Sequence, residues 1–194
     1  STTRSISVLS NSGSAVLSGT LSRSTNASGL ATFTGLVLTG PVGPNTLLFS
    51  SAGLTTDTTA VISLTAGNAS QLSMVQQPSA SAASGVAFAQ QPTVQARDAA
   101  GNPVAGVRSV TVAIASGGGT LGGTATVNSD ANGLATFAGL SVTGTVGART
   151  LQFTSGGLTA ATSTAVSITA GAATQLTMVQ QPSATAANGV AFTQ

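Results

Sequence analysis

The sequence predicts an all-β protein built from antiparallel β-sandwiches, with no significant helix. Short stretches of alternating or clustered β-branched and aromatic residues recur along the chain. Glycine-rich breaks separate them about every 8 to 15 residues, a spacing typical of strands and turns in a sandwich. The same stretches then return further along the chain in the same order, which indicates tandem units of one fold.

In the central part of the chain the predicted strands follow one another closely. They are residues 109–116 (SVTVAIAS), 124–127 (TATV), 134–142 (LATFAGLSV), 149–155 (RTLQFTS) and 163–170 (STAVSITA). The breaks between them are GGGTLGG, SDANG, TGTVGA and SGG. Because large apolar residues at alternating positions face one side of a sheet, we expect a core that contains Phe33, Phe49, Phe137, Phe153, Met74 and Met178.

Two turns have a chemical explanation. In DAAGNPV, residues 98–104, the Asp98 carboxylate can accept hydrogen bonds from backbone amides ahead of it, while Gly101 or Asn102 can adopt a positive φ. SDANGLATF places an Asn-Gly pair at a turn tip in the same way. The acid of this second turn, Asp130, has no acidic counterpart in the other copy of the repeat, which favours a plain turn over a calcium loop.

The composition excludes several classes of function. Charged residues make up 4% of the chain and aromatic residues 3%, so the clustered basic face and stacking aromatics of a nucleic-acid-binding protein are absent. The chain contains no His, Cys, Glu or Lys, which removes the usual catalytic bases and metal ligands. We therefore predict no enzyme activity, no catalytic or metal site and no cofactor. No apolar run reaches the 18 residues of a membrane span.

An internal repeat sets the organisation of the chain. Phe137 lies 104 residues after Phe33, and Met178 lies 104 residues after Met74, so residues 1–90 align with residues 105–194 without a gap. More than half of the aligned residues are identical, and only residues 91–104 occur once. This phase predicts three segments: a partial domain at 1–66 that lacks its first strands, a complete domain at 67–170, and the first strands of a further domain at 171–194. We call them the first copy, the second copy and the tail.

The second copy resembles the bacterial immunoglobulin-like (Big) repeats of intimin, invasin and related surface proteins. The likeness lies in the D-x-x-G-N-P-V turn, the VTV strand, the D-x-N-G-x-A turn and the G-x-x-T-L-x-F strand, in that order, over residues 98–171. It extends less closely to residues 4–67. The resemblance implies tandem immunoglobulin-like sandwiches that serve mostly as spacers in bacterial adhesins and fibres, and hence an extracellular or cell-surface location.

The tail has the sequence of lead strands whose domain is not completed within these residues. Its apolar side chains form the predicted inter-domain or inter-subunit strand: Leu176, Met178, Val179, Val190 and Phe192. Two arrangements remain open. Either the 194 residues are a window on a longer repeat chain, or the tail fills the first copy of a neighbouring subunit by strand addition, which propagates into a head-to-tail filament.

Both arrangements predict an extended rod that contacts copies of itself or adjacent repeats and acts as a bacterial filament, stalk or adhesin shaft. The alternative is an immunoglobulin-like adhesin module that binds carbohydrate or a receptor through its loops, although those loops contain no Trp or Tyr. Two glycosylation sequons begin at Asn26 and Asn68 and are candidate modification sites.

Overall fold

Strands and turns account for all the secondary structure in residues 3–191, which are the residues that the computed structural model of the chain describes. The first copy contains strands β1 Ser5–Ser12, β2 Val16–Ser18, β3 Ser22–Ser24, β4 Val37–Thr39, β5 Gly43–Ser50, β6 Asp57–Thr58 and β7 Ile62–Leu64. The second copy contains β8 Gln71–Gln76, β9 Ser81–Ala83, β10 Thr93–Arg97, β11 Ser109–Ser116, β12 Thr120–Gly122, β13 Thr126–Asn128, β14 Leu134–Thr136, β15 Ser141–Thr143, β16 Gly147–Thr154, β17 Ala161–Thr162 and β18 Val166–Thr169. The predicted all-β class is confirmed. The described residues include no helix that could cross a membrane.

The second copy is a two-sheet sandwich. One sheet has the order β14-β10-β8 and the other the order β13-β11-β16-β18-β9. All these pairings are antiparallel except that of β9 with β18, which is parallel. The order agrees with that of an immunoglobulin-like sandwich, in which the first, second and fifth strands share one sheet.

The inner faces of the two sheets meet in one apolar core. Val94 on β10 is fully buried, and so are Leu151 and Phe153 on β16 of the opposite sheet. Phe137 packs edge-on against Phe153, with 5.2 Å between ring centroids. Phe137 and Phe153 are therefore core residues, as the alternation predicts.

The first copy has only one of the two sheets. Strand β5 pairs with β1, β6 and β7, and β3 adds to β1, which reproduces the β13-β11-β16-β18 sheet of the second copy. The opposite sheet is missing from residues 3–66, because they contain no strand that matches β8 or β10, and residues 30–32, which match β14, form no strand. A strand at that position has no neighbour with which to pair.

Most predicted strands form close to their expected bounds, with two differences. The segment 134–142 is not one strand, because Gly139 adopts φ +68 and separates β14 from β15. These two strands then pair in different places, β14 with β10 and β15 with β12. Strand β12 itself lies inside GGGTLGG, which the sequence predicts to be a break.

The two predicted turns form by the expected chemistry. Asp98 Oδ1 accepts hydrogen bonds from the amides of Ala100 (3.0 Å) and Asn102 (2.8 Å), and the positive φ falls on Gly101. Asp130 Oδ1 caps the second turn by accepting from the amides of Asn132 and Leu134, both at 2.9 Å. Bonding to the Leu134 amide, opposed in part by burial, lowers the pKa of Asp130.

Candidate functional site

The inner face of the first copy is exposed, whereas the matching face of the second copy is buried in the core of the sandwich. Ile62 is 37% exposed, whereas its counterpart Val166 is fully buried, and Ala31 is half-buried, whereas its counterpart Ala135 is fully buried. Phe33 and Phe49 still form an edge-on pair, with centroids 5.3 Å apart, but both rings are only half-buried. The same residue types that make a closed core in the second copy therefore line an open surface in the first.

One depression of this surface lies between β4 and β7. This first groove has a volume of about 330 Å³ and is lined by Leu17, Leu36, Leu38, Leu47, Ile62, Ser63 and Leu64. The counterparts of Leu36, Leu38 and Leu47 are Leu140, Val142 and Leu151, all fully buried. The residues that line this groove thus match core residues of the second copy, but no strand covers them in the first copy.

The second groove lies beside the aromatic pair. It has a volume of about 170 Å³ and is lined by Ile6, Phe49, Ser50, Ser51, Leu54, Thr55 and Asp57. In the second copy the lead strand β8 covers the matching place, since the Leu72 amide donates to Thr159 O (2.8 Å), the counterpart of Thr55. Asp57 replaces Ala161, which is buried, so this groove has a carboxylate at its rim.

The second copy shows which segment covers the first groove. Strand β9 pairs with β18 and forms the edge of that sheet, whereas among the described strands β7 pairs only with β5. The Gly85 amide then donates to Val142 O (3.0 Å) and the Phe88 amide to Leu140 O (2.9 Å). The side chain of Phe88 is buried in the core cluster. Residues 81–88 therefore supply both the edge strand and an aromatic side chain.

The tail carries the sequence of these covering strands, but its described part, residues 171–191, lies almost entirely exposed. Residues 171–191 form no strand, Leu176 and Val179 are fully exposed, and Met178 and Val190 are 62% and 63% exposed. Met178 is thus outside any core, whereas its counterpart Met74 packs against the core of the second copy. Phe192, the counterpart of Phe88, lies outside the described residues.

The second copy also separates the tail residues into two kinds. Leu72 is buried and Met74 is partly buried, so Leu176 and Met178 have counterparts that face the core. Val75 and Val86, the counterparts of Val179 and Val190, are 52% and 55% exposed, so they do not face the core. We accordingly expect Val179 and Val190 to contribute little to burial when the tail is paired.

A polar joint connects the two copies. Asp98 and Asn102 in the turn 98–104 are both buried, at 5% and 8% exposure. Asn102 donates from Nδ2 to Gly40 O (2.9 Å) and accepts at Oδ1 from the Val42 amide (3.0 Å). Asp98 Oδ2 accepts from the Gly67 amide (2.9 Å), in the segment that leads out of the first copy. We call this arrangement the turn joint.

The turn joint predicts a pH dependence of stability. The hydrogen bond from the Asn102 side chain, followed by that from the Gly67 amide, lowers the pKa of Asp98 from 3.8 to about 2. A carboxyl whose pKa is lower in the folded state stabilises the fold above its unfolded pKa, and this contribution is lost as the pH falls from about 4 to about 2. Asp98→Asn should therefore lower Tm at pH 6, and the difference from the unmodified chain should shrink toward pH 2.

Calorimetry over this pH range checks the prediction, with Asp57→Asn as the control. The Asp57 carboxylate is exposed and, within the residues that the structure describes, accepts a hydrogen bond only from the amide of its neighbour Thr58. A Tm difference for Asp98→Asn that stayed constant from pH 6 to pH 2 would contradict the assigned role of the carboxylate.

The two candidate glycosylation residues, Asn26 and Asn68, are both on the surface. Asn26 is exposed, and its Oδ1 caps a turn by accepting from the amides of Ser28 (3.0 Å) and Leu30 (2.9 Å). Asn68 is exposed beside the turn joint. Glycosylation of either stays a prediction. Within residues 3–191 no three His, Cys, Asp or Glu side chains converge to hold a metal ion.

Comparison with known proteins finds distant structural likenesses. No protein-family model matches the sequence, and no curated protein matches it. One similar solved structure is the D00-D0 domain of Intimin, with 12% identity and a TM-score of 0.47, covering 84% of this chain and 78% of that chain. Another is the BSP domain of a biofilm associated protein, with 17% identity and a TM-score of 0.31, covering 89% of this chain but only 26% of the other. Both overlaps are too loose to assign a function.

Proposed function

We propose that this chain is a structural segment of an extracellular bacterial filament, stalk or adhesin shaft, built end to end from immunoglobulin-like repeats. One observation carries the proposal: the first copy exposes the face that lead strands cover in the second copy, and the tail is an uncovered segment with the sequence of those lead strands. Residues 1–66, 67–170 and 171–194 are then an acceptor, a finished domain and a donor.

The energetics favour filling the grooves over leaving them open. Burying a large apolar side chain contributes about 1.5 to 3 kcal/mol, and several such side chains line the two grooves. A free sheet edge such as that of β7 is also a ready template for another strand. The occupant is the lead strands of a further copy of the repeat, supplied by the same polypeptide or by a neighbouring chain.

The low charge suits close packing of identical rods. Five Arg and three Asp side chains give a net charge of +2 over 194 residues, so little electrostatic repulsion opposes association between copies. The loops contain no Trp or Tyr that could anchor a sugar or a receptor. No feature of the described residues favours the alternative of a binding module over a structural one.

Substitutions in the tail test whether the tail of one chain fills the first copy of another. Changing both Leu176 and Met178 to Asp should abolish fibres seen by electron microscopy and shift sedimentation to the monomer, because their counterparts Leu72 and Met74 pack on the core. The melting of the second copy should be unchanged, since the tail makes no strand with it.

Val179→Asp is the matched control within the same strand. It introduces one aspartate, against two in the double substitution, three residues after Leu176, but its counterpart Val75 is half-exposed, so assembly should persist. Assembly that survived the double substitution would rule out the tail as the donor. If the chain remained monomeric at every concentration, strand exchange between chains would be excluded. The lead strands would then have to come from the same polypeptide.

A further inference from the structure

The outer end of the second copy repeats the surface to which the turn joint binds. At the observed joint the turn contacts three backbone positions: Gly40 and Val42 of the first copy, and Gly67 directly after it. The residues 104 positions later are Gly144, Val146 and Gly171, identical at all three places. These three residues we call the outer socket.

The outer socket has the polar groups that a second turn needs. The amide of Val42 donates to Asn102, but that of Val146 has no hydrogen-bond partner within residues 3–191, and the Val146 side chain is 66% exposed. Gly43 and Gly147, which follow these valines, adopt similar φ values of +144 and +136. The loop therefore presents the Val146 amide on a backbone of similar shape.

The contacts of the two ends differ at two places. Arg149 Nη2 donates to Thr145 O (2.7 Å) within the outer loop, whereas its counterpart Asn45 donates to Gly43 O (3.0 Å). Ser84 Oγ donates to Gly144 O (3.0 Å) and accepts from the Gly144 amide (3.0 Å), whereas the described first copy has no residue in the position of Ser84. A carbonyl oxygen has two lone pairs and can accept a second hydrogen bond from an Asn side chain. Ser84 therefore leaves the socket able to bind the turn.

We propose that the outer socket binds the D-x-x-G-N turn of a following copy of this repeat, with the Asn amide bridging Gly144 O and the Val146 amide and the Asp carboxylate bound to the Gly171 amide. The proposal rests on the end-to-end arrangement proposed above and adds a specific joint to it. Each repeat then meets the next through the same three backbone positions, which fixes one orientation between successive repeats along the rod.

The proposal also separates the two sources of lead strands. The tail, residues 171–194, contains no D-x-x-G-N sequence, and neither do residues 1–66. If successive repeats are joined only by inserting this tail into a neighbour's first copy, no D-x-x-G-N turn is available and the outer socket stays empty. If the polypeptide instead continues through a counterpart of residues 91–104, which contain that turn, the outer socket is filled.

Hydrogen exchange measured residue by residue tests the socket. The chain is compared with a longer form in which a copy of residues 91–170 follows Gln194, so that the period continues. We expect the Val146 amide to exchange about tenfold more slowly or better in the longer form, as one new backbone hydrogen bond would produce. The Val42 amide, which the observed joint already protects, is the internal reference.

The longer form with Asn102→Ala in the added copy is the matched control, and its Val146 amide should return to the exchange rate of the unextended chain. Amides of the added core strands report whether the new repeat folds. If those amides are protected while Val146 exchanges as before, the socket proposal is overturned and the end-to-end arrangement stands. If the added core stays unprotected, both the proposed arrangement and the joint that depends on it are contradicted.

Discussion

Phe153→Ala should lower the free energy of unfolding of the second copy by about 3 to 5 kcal/mol, the usual cost of removing a fully buried phenylalanine. Phe49→Ala, the same change 104 residues earlier, should cost only about 1 to 2 kcal/mol. Both rings form an edge-on aromatic pair of nearly equal geometry, at 5.2 Å and 5.3 Å. The difference between the two costs therefore measures the missing second sheet.

Denaturant unfolding monitored by hydrogen exchange assigns each loss in free energy of unfolding to the copy in which it occurs. The control is a comparison of low and high protein concentration. At concentrations where the chain is monomeric, the two costs should differ as stated. Under conditions that favour assembly, the cost of Phe49→Ala should rise toward that of Phe153→Ala, because a donor strand then buries the ring. Equal costs in the monomer would show that the inner face of the first copy is already covered in solution and would refute the open groove.

The alternation of residue types accounts for most of the fold that the sequence could predict. Strand β11 forms over the predicted residues 109–116, and the repeat offset alone predicts which residues of the two copies correspond. The opposite orientations of Met74 and Val75, the counterparts of Met178 and Val179, could also have been predicted from the sequence, because successive side chains in a strand face opposite sides. Val86 and Phe88, the counterparts of Val190 and Phe192, show the limit of this rule, since Val86 is exposed and Phe88 buried in an irregular segment although they are two residues apart.

The contacts that sequence reasoning missed all depend on distant parts of the chain. Asn102 bonds Gly40 and Val42 across about sixty residues, and no local pattern marks those loop positions as its partners. The parallel pairing of β9 with β18 joins residues 81–83 to residues 167–169. A three-residue strand has too short a pattern to be recognised before its partner is known. Strand β12 was missed for the same reason, because glycines flank it on both sides.

A copy of residues 67–104 placed before residue 1 should convert the first copy into a finished sandwich. Because residue 105 follows residue 104 and is the counterpart of residue 1, the added segment enters in the correct phase. It brings Leu72, Phe88 and Val94, which are buried in the second copy. Covering the two grooves should stabilise the first copy by on the order of 5 kcal/mol, since several large apolar side chains leave water together.

The completed first copy should still be less stable than the second, because Asp57 brings a carboxylate to a place where Ala161 is buried. Calorimetry and the exchange rates of the Phe49 and Ile62 amides measure the gain. The control is the same added segment with its copies of Leu72 and Val94 changed to Asp, which should give no gain. Fibre formation by the tail should also fall, because the added strands occupy the grooves first. If the added segment left the Tm of the first copy unchanged, the grooves would not be sites for lead strands, and the strand-completion mechanism would be wrong in both its forms.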